Sequence, residues 1–411
     1  MNILYLSQYF PPEVGATQTR AYEMGRGLVR AGHNVTMIAE VPNHPSGIIP
    51  PAYKGKLYER TDVDGIDVIR VWVKASPVKT FRNRMAFYLS YMLMAIVAGL
   101  FLARGKYDAI YATSPPLFVG GAALIISSFR RIPLFFEVRD LWPESAIILG
   151  ELRNPGAIAL AEWLEKACYR RARKIVVVTK AMYNKIFDRG YPSDKLAMIP
   201  NGANAELFQF QPEAGRALQK RLGLQNKFVV IYAGIHGLAQ GLETVIKAAT
   251  ILADKRDIHF LFVGEGPVKP RMLKLASERH LTNITFHVEV PRPQMPAFFS
   301  AANVALVPLR RLDLFQGALP SKMFDAWACQ CPTLITVDGE ARQVLAEAEA
   351  GLFIEAENPE AMAEGILRLK NNPTACHRMG LNGRKAVLER YSREAQAKQL
   401  VDLLSNIIEK D

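Results

Sequence analysis

Two side chains of opposite charge, Lys322 and Asp325, lie three residues apart, and on a helix this spacing places both on one face. Pro320 suits the first position of such a helix, and the small residues Gly317 and Ala318 before it let a ligand approach the backbone. The free N–H groups at a helix start favour a phosphate. The pattern predicts a site in which the lysine binds a diphosphate and the aspartate a ribose hydroxyl. An ordinary helix with a solvent-exposed Lys–Asp pair is the alternative.

A second group of charged side chains, Arg139, Asp140 and Glu144, follows the apolar run from Leu134 to Val138. An α/β domain places its reacting groups just beyond the carboxyl ends of its buried strands. These residues are therefore candidates for handling a reacting hydroxyl group. A purely structural Arg139–Asp140 ion pair is the alternative.

Glycine-containing turns follow two predicted strands in the second half of the chain. The turn from Gly234 through His236 to Gly237 is a place where backbone N–H groups can meet a phosphate. The turn at Gly264 is only a partial dinucleotide-binding motif, because Lys269 occupies the position of its last glycine. This disfavours a nicotinamide dehydrogenase. No P-loop and no metal-ligand spacing is present, so we expect neither a metal nor a cofactor.

The elements that must position these groups alternate between strand and helix. The chain opens with a strand from Ile3 to Phe10, a helix from Thr17 to Arg30 and a strand from Asn34 to Ile38. Turn residues from Pro200 to Asn204 separate this series from a second one that begins at Phe228. The order predicts an α/β protein with two doubly wound, Rossmann-like domains that face one another across a cleft. We assign residues 1–203 to the first domain, 204–390 to the second, and 391–411 to a helix that packs back on the first.

The composition indicates a negatively charged partner. The 411 residues carry a formal net charge of +12, which suits nucleic acid, anionic lipid or a phosphorylated substrate. A basic run rich in aromatic residues is absent, so nucleic acid is the weakest of the three. The four cysteines are too irregularly spaced for a disulfide framework and indicate reduced thiols. The start of the chain shows no secretory signal.

The segment from Met85 to Ala103 contains no charged residue and is about as long as a membrane-spanning helix. Basic residues frame it, and Lys79, Arg82 and Arg84 would lie at the level of lipid headgroups. We expect monotopic attachment to an anionic leaflet, with Leu93 in the acyl boundary. A fully buried core helix and a true membrane span are the alternatives.

The chain as a whole resembles the glycosyltransferases of family 4, which have the GT-B fold. The matching stretches occur in the family's order: Tyr9-Phe10-Pro11-Pro12-Glu13 with Gly15, Ala31 to Thr36, Ile199-Pro200-Asn201-Gly202, Tyr232-Ala233-Gly234, Val263-Gly264-Glu265-Gly266, Ala302-Asn303-Val304 and Lys322 to Pro332. The segments Thr113-Ser114-Pro115-Pro116, Glu137 to Ser145 and Gly317 to Asp325 are similar to the branch that adds aminodeoxysugars such as N-acetyl-L-fucosamine to polyprenyl-linked intermediates of O-antigen or capsule.

The chain departs from the family pattern at three places. The family has two glutamates eight positions apart, and Gly317 and Asp325 stand there instead. The family's Arg and Lys for phosphate correspond to Ile235 or His236 and to Gln240. The family's His-Asp pair in the acceptor domain reads Arg139-Asp140, so no histidine base is available.

The resemblance implies a donor site in the second domain and an acceptor site in the first. Asp140 and Lys322 are the expected catalytic residues. The expected donor-binding residues are Gly234, His236, Gly237, Gly264, Arg271, Gly317, Ala318, Leu319, Ser321, Lys322 and Asp325. The expected acceptor-binding residues are Gly15, Thr17, Arg139 and Glu144.

The implied activity is the metal-independent, retaining transfer of an aminodeoxysugar from a UDP-sugar to a polyprenyl-diphosphate-linked saccharide. It would take place at the cytoplasmic face of the inner membrane, in the assembly of lipopolysaccharide O-antigen or capsule. A sugar-nucleotide epimerase of the same fold, which needs no lipid, is one alternative. A non-catalytic lipid-binding scaffold is the other.

Overall fold

The computed structural model describes residues 1–13, 15–44, 46–78, 80–148, 150, 152–312, 315 and 317–408. The chain divides into two compact units. The first comprises Met1–Pro200 together with Gln396–Asp411, and the second comprises Asn201–Ala395. The predicted boundaries, after residues 203 and 390, differ from these by a few residues.

The first unit is built on an eight-stranded sheet in the order β3-β4-β2-β1-β5-β6-β7-β8. Every neighbouring pair is parallel except β3–β4, which is antiparallel. The central strands are buried on both faces, as expected for strands covered by helices on each side. The strands are β1 (Asn2–Leu6), β2 (Asn34–Glu40), β3 (Tyr58–Val63), β4 (Ile66–Val71), β5 (Ala109–Ser114), β6 (Leu134–Val138), β7 (Lys174–Val177) and β8 (Leu196–Met198).

Helices connect these strands, and several begin at polar caps. The Thr80 hydroxyl accepts a hydrogen bond from the Asn83 N–H at 3.3 Å, and the side-chain Oδ1 of Asn154 accepts one from the Ala157 N–H at 3.0 Å. The helices of this part of the chain are α1 (Ala16–Arg30), α2 (Phe81–Val97), α3 (Phe118–Arg130), α4 (Glu144–Ile148), α5 (Pro155–Arg171) and α6 (Lys180–Asp188).

The second unit contains a six-stranded parallel sheet in the order β11-β10-β9-β12-β13-β14. Its strands are β9 (Phe228–Ala233), β10 (Ile258–Val263), β11 (Ile284–His287), β12 (Val304–Val307), β13 (Thr333–Ile335) and β14 (Gly351–Phe353). The remaining helices are α7 (Pro212–Arg221), α8 (Leu242–Ile251), α9 (Lys269–Glu278), α10 (Met295–Ser300), α11 (Ser321–Ala328), α12 (Glu340–Ala348), α13 (Pro359–Lys370), α14 (Pro373–Ala386) and α15 (Arg393–Ile408).

The last helix, α15, completes the core of the first unit. Ala397, Leu400 and Leu404 are buried there in the same apolar cluster as residues of β1 and α1. The contact with α1 is close, because a Cβ atom on Gly27 would lie 2.2 Å from the Cβ of Ala397. The first sheet therefore depends on residues from both ends of the described chain.

The prediction of two doubly wound α/β domains is confirmed, but some elements differ from it. Strand β1 ends at Leu6 rather than Phe10. The edge strand β3 was not predicted, because its side chains are charged or half-exposed rather than apolar. The turn Asp64–Gly65, in which both residues have positive φ, is the signal that indicates this hairpin.

Helix α2 continues as a π-helical turn, Ala98–Leu102, and presents one apolar face to the solvent. Leu89, Leu93, Val97 and Phe101, which we name the α2 stripe, are 42%, 60%, 44% and 69% exposed. The opposite face, with Tyr91 and Ala95, is buried. The alternative of a fully buried core helix is therefore wrong. By length and composition, the segment Phe81–Leu102 is also long and apolar enough to cross a membrane.

Candidate functional site

The structure brings Lys322 and the Gly234 turn together in the second unit. The Lys322 Nζ donates to the Tyr232 hydroxyl at 3.2 Å and lies 4.6 Å from the centroid of that ring. A Cβ atom on Gly234 would lie 3.1 Å from the same Nζ. Helix α11 begins at Ser321, with Pro320 as its N-cap rather than its first residue. The ammonium group thus lies beside the turn that ends β9.

Lys322 has no carboxylate partner among the described residues within ion-pair distance. The residue as a whole is half-buried, and burial of the amine lowers its pKa from 10.5 to about 8. A nearby negative charge favours the protonated form of such an amine. The surroundings of Lys322 therefore suit an anionic ligand.

The turns at Gly234 and Gly264 pack backbone against backbone. Both residues have positive φ, of 135° and 141°, and a Cβ atom on Gly264 would lie 2.1 Å from the carbonyl oxygen of Gly234. The Gly234 N–H donates to the Val263 carbonyl at 3.0 Å, and the His236 N–H donates to the Glu265 carbonyl at 2.8 Å. These two N–H groups therefore hold the turns together and are not available to a phosphate. Gly237 is the N-cap of a short 3-10 helix.

The sequence predicts that His236 binds the sugar donor, but its side chain is enclosed within the second unit. It is fully buried, and its ring centroid lies 5.6 Å from that of Tyr232 and 5.9 Å from that of Phe262. Neither ring nitrogen has a hydrogen-bond partner among the residues that the structure describes. Burial, with help from Lys269, lowers the pKa of His236 to about 4, so the ring is neutral. Its role in the structure is packing.

Asp325 shares the half-exposed face of α11 with Ser321 and Lys322. Its carboxylate lies 3.6 Å from the guanidinium of Arg292, which in turn lies over the Phe208 ring. Arg292 was not predicted, because this pairing joins residues distant in sequence.

Three further residues predicted to bind the donor have described contacts of their own. Arg271, in α9, is exposed, and its guanidinium forms an ion pair at 3.2 Å with the carboxylate of Glu243 in α8. This contact lies at the protein surface. The Ala318 N–H donates to the Phe315 carbonyl at 2.9 Å and is already used. Leu319 is buried, and its carbonyl accepts from Asn201 at 3.2 Å. Gly317 lies in a turn, whereas the neighbouring Leu314 and Gln316 lie outside the described residues.

In the first unit a buried polar network lies at the carboxyl end of β6. The Arg20 Nε donates to Glu137 Oε1 at 2.9 Å, and the Tyr111 hydroxyl donates to the same oxygen at 2.8 Å. The Thr113 hydroxyl donates to Glu137 Oε2 at 2.6 Å. Despite burial, Arg20 holds the pKa of Glu137 below its usual value. This network fixes the strand end that carries Arg139 and Asp140.

The Nε and Nη1 atoms of Arg139 are buried, and the described part of the chain offers them no hydrogen-bond partner. Burial lowers the pKa of Arg139, and Glu137 acts in the opposite direction. Asp140 is oriented by the Ser145 hydroxyl, which donates to its Oδ2 at 2.9 Å. The strand end therefore carries unsatisfied donors beside a positioned carboxylate.

The other predicted acceptor residues have different surroundings. Both oxygens of Glu144 are held by cations, Lys185 at one and Arg189 at 2.6 Å from the other, so Glu144 lies in a surface ion-pair group rather than free for an acceptor. Gly15 is the N-cap of α1, and Thr17 lies in its first turn.

A small cavity that the sequence did not reveal lies at the ends of β1 and β2. Its volume is about 180 Å³, and it is lined by Tyr9, Asn43, His44, Asn83, Arg84 and Tyr88 among others. The amide nitrogens of Asn43 and Asn83 already donate within the protein. Aromatic rings and amide oxygens are groups that suit a sugar ring with its hydroxyls. Arg84, predicted at headgroup level, lines this cavity, whereas Lys79 lies outside the described residues.

Two family descriptions match the chain. One, "Glycosyl transferase 4-like domain", matches residues 15–202, and the other, "Glycosyl transferases group 1", matches residues 216–386. The chain is 26% identical over 375 residues to the putative colanic acid biosynthesis glycosyl transferase WcaI of Escherichia coli, covering 89% of this chain and 91% of that one. It is 23% identical over 290 residues to alpha-D-kanosaminyltransferase of Streptomyces kanamyceticus, covering 69% and 73%.

Solved structures agree on the fold. Sucrose-phosphate synthase from Thermosynechococcus elongatus superposes with a TM-score of 0.75 at 20% identity over 100% of both chains. Anabaena HepE in complex with UDP-glucose superposes with a TM-score of 0.74 at 15% identity over 99% of this chain and 100% of that one. The protein is thus a glycosyltransferase with the GT-B fold. It belongs to glycosyltransferase family 4, as the resemblance indicated.

Proposed function

We propose that the protein transfers a sugar from a UDP-sugar to a polyprenyl-diphosphate-linked saccharide during surface polysaccharide assembly. The single observation that carries the donor half of the proposal is Lys322. Its ammonium group lacks a carboxylate partner among the described residues and lies beside the start of α11. A diphosphate supplies the negative charge that this group lacks.

The comparisons support the choice of donor and pathway. HepE, which has the same fold, was solved with UDP and with UDP-glucose. WcaI is named for colanic acid biosynthesis, and the kanosaminyltransferase is named for an aminodeoxysugar. An aminodeoxysugar joined to an O-antigen or capsule intermediate is consistent with these names.

The chemistry in this proposal is mainly electrostatic. As the glycosidic bond of the donor breaks, its electron pair goes to the β-phosphate oxygen, and Lys322 with the first N–H groups of α11 stabilises the growing charge. Asp325 binds a ribose hydroxyl of the nucleotide. The new bond forms on the face the leaving group vacates, so the anomeric configuration is retained, and the proton of the acceptor hydroxyl passes to the departing phosphate or to Asp140.

The acceptor half of the proposal rests on the first unit. Arg139 offers two buried donors to an oxygen of the acceptor, and Asp140 orients or deprotonates its hydroxyl. The cavity of about 180 Å³ is smaller than the roughly 300–1,000 Å³ of drug-sized ligand sites and suits a single sugar ring. Gly15 and Thr17, at the start of α1, complete the acceptor side in this proposal.

The α2 stripe attaches the protein as a peripheral, monotopic enzyme to the cytoplasmic face of the membrane in this proposal. Its four large apolar side chains are already at the surface, and Arg82 and Arg84 lie at the start of the same helix. A polyprenyl acceptor stays in the leaflet, so an enzyme attached in this way meets it there.

The test is a product analysis. Purified protein is incubated with UDP-sugars or GDP-mannose and a short-chain polyprenyl-diphosphate saccharide. The molecular mass of the lipid product is then measured by mass spectrometry. We expect the acceptor to gain one sugar residue from a UDP-sugar, with release of UDP. The Lys322→Ala variant is the control. Conversion of the nucleotide sugar with no mass gain on the acceptor would identify an epimerase instead.

A further inference from the structure

The outer face of α5 carries two large apolar side chains that have no part in the proposed reaction. Leu160 is 65% exposed, and Trp163, one helical turn later, is 57% exposed. A spacing of three residues puts both on one face of the helix, and we name them the α5 pair. The next residues on that face, Lys166 and Arg170, are exposed cations. The face is thus apolar in its first half and basic in its second.

Helices α2 and α5 belong to one layer, which covers one face of the first sheet. Tyr91 and Ala95 of α2 are buried in the same apolar cluster as Cys168 and Tyr169 of α5, together with residues of the strands. Helices α1 and α15 pack in a different cluster with residues of the same sheet. The outer sides of α2 and α5 therefore face the same side of the first unit.

The two helices also come together over α3, which lies beneath them. A Cβ atom on Gly121 of α3 would lie 2.8 Å from the Sδ of Met92 and 3.5 Å from the Cδ1 of Leu164. Met92 directly precedes Leu93 of the α2 stripe, and Leu164 directly follows Trp163. The α2 stripe and the α5 pair therefore lie side by side on neighbouring helices.

We propose that the α5 pair is a second membrane contact, which enters the same anionic leaflet as the α2 stripe. This inference rests on the proposed membrane attachment through α2 and adds a second helix to it. Trp163 suits the boundary between headgroups and acyl chains, because its ring is apolar and its N–H is polar. A protein held by one flat helix can roll about the axis of that helix. Contacts on two neighbouring helices fix its tilt on the membrane.

The charge on the same face favours a lipid surface over a second copy of the chain. Lys166 and Arg170 would lie near the headgroups, where each cation is attracted to anionic lipid. A symmetric dimer through this face would bring the same patch of both copies together. The cations of one copy would then lie close to those of the other, which is unfavourable. The face therefore matches an anionic bilayer better than it matches itself.

The first experiment follows the fluorescence of Trp163 directly. Wild type and Trp163→Phe are mixed with vesicles of phosphatidylcholine and phosphatidylglycerol, with or without bromine atoms on the acyl chains. The difference between the two proteins isolates Trp163 among the four tryptophans of the chain. We expect this component to shift to shorter wavelength on vesicles and to be quenched by the brominated lipid. An unshifted, unquenched component in wild-type protein that has bound the vesicles would overturn the inference.

The second experiment measures flotation with the same vesicles. The test variant is Leu160→Ser/Trp163→Ser, and the matched control is Leu273→Ser/Leu381→Ser, on helices of the second unit where these side chains are 46% and 45% exposed. We expect the test variant to bind at least roughly tenfold more weakly than wild type, because the apolar area that enters the leaflet is smaller. The control should bind like wild type. Equal losses in both variants, or no loss in the test variant, would contradict the proposal.

Two further measurements separate this inference from other outcomes. Sedimentation without lipid reports a dimer, and a wild-type dimer that the test variant loses would assign the α5 pair to a second copy instead. Wild-type protein that does not bind the vesicles would refute both the attachment through α2 and this inference. Sugar transfer to a detergent-soluble, short-chain acceptor should be unchanged in the test variant, whereas failure of that transfer in wild type would refute the proposed function alone.

Discussion

The Lys322 amine lies 3.2 Å from the Tyr232 hydroxyl, although the two residues are far apart in sequence. That hydroxyl donates its own proton to the Ile235 carbonyl at 2.5 Å, so its lone pair faces the ammonium group. The pair fixes where the charge of Lys322 lies before any ligand arrives. Preorganised charge of this kind stabilises a leaving group without reorganisation during the reaction.

Replacement of Lys322 by alanine should lower kcat by roughly 10²–10³ while the fold is kept. The physical reason is loss of the charge that meets the departing diphosphate. Steady-state kinetics measure the change in kcat, and the midpoint of thermal unfolding is the control that shows whether the fold is kept. Tyr232→Phe keeps the ring under the amine and should lose less. A Lys322→Ala variant with wild-type kcat would place the donor elsewhere.

The pH dependence of kcat/KM for the donor should show the titration of Lys322. Burial lowers its pKa to about 8, so activity should fall as the pH rises above about 8 and the free enzyme loses the charge. Lys322→Arg should lack this limb, since a guanidinium stays protonated. A wild-type profile that stays flat to pH 10 would contradict the assignment.

The same burial makes Lys322 a cost to stability at neutral pH. The pKa of Lys322 in the folded protein lies below the unfolded value of 10.5, so the unfolded chain binds more protons between about pH 8 and 10.5. The contribution of Lys322 to the free energy of unfolding therefore rises with pH in that window. Lys322→Met should therefore raise the free energy of unfolding at pH 7 by about 1–3 kcal/mol. Denaturant titration at pH 7 and pH 10 checks this, and the gain should shrink at the higher pH.

Asp140→Asn should lower kcat strongly and leave stability nearly unchanged. The amide keeps the size of the side chain and can still accept the Ser145 hydrogen bond, but it loses the charge and the ability to take a proton. Kinetics with saturating donor measure the effect. Full activity in this variant would make Asp140 a structural residue.

Leu93→Glu should release the protein from anionic vesicles without unfolding it, because Leu93 is 60% exposed. The control is Tyr91→Glu on the opposite, buried face, which should destabilise the fold because it buries an unpaired charge. Co-sedimentation and circular dichroism distinguish the two. Wild-type protein that stays in the supernatant at low salt would end the attachment proposal.

The alternation of strands and helices could be predicted from the sequence because the buried strands form short apolar runs bounded by turn residues. The shared face of Lys322 and Asp325 could also be predicted, since helical spacing is local. The ion pair of Asp325 with Arg292 could not, because only the folded sheet order brings these residues together. His236 was misjudged for the same reason: aromatic side chains from neighbouring strands enclose it.

The burial of Ala397 against Gly27 has a consequence for biogenesis. The ribosome releases residues 1–200 long before α15, so the first sheet emerges without the side chains that fill one face of its core. The second unit is continuous in sequence and can finish folding first, which reverses the usual N-terminal-first order of multidomain chains. A nascent chain therefore keeps the α2 segment in an unfinished domain until synthesis has passed residue 404.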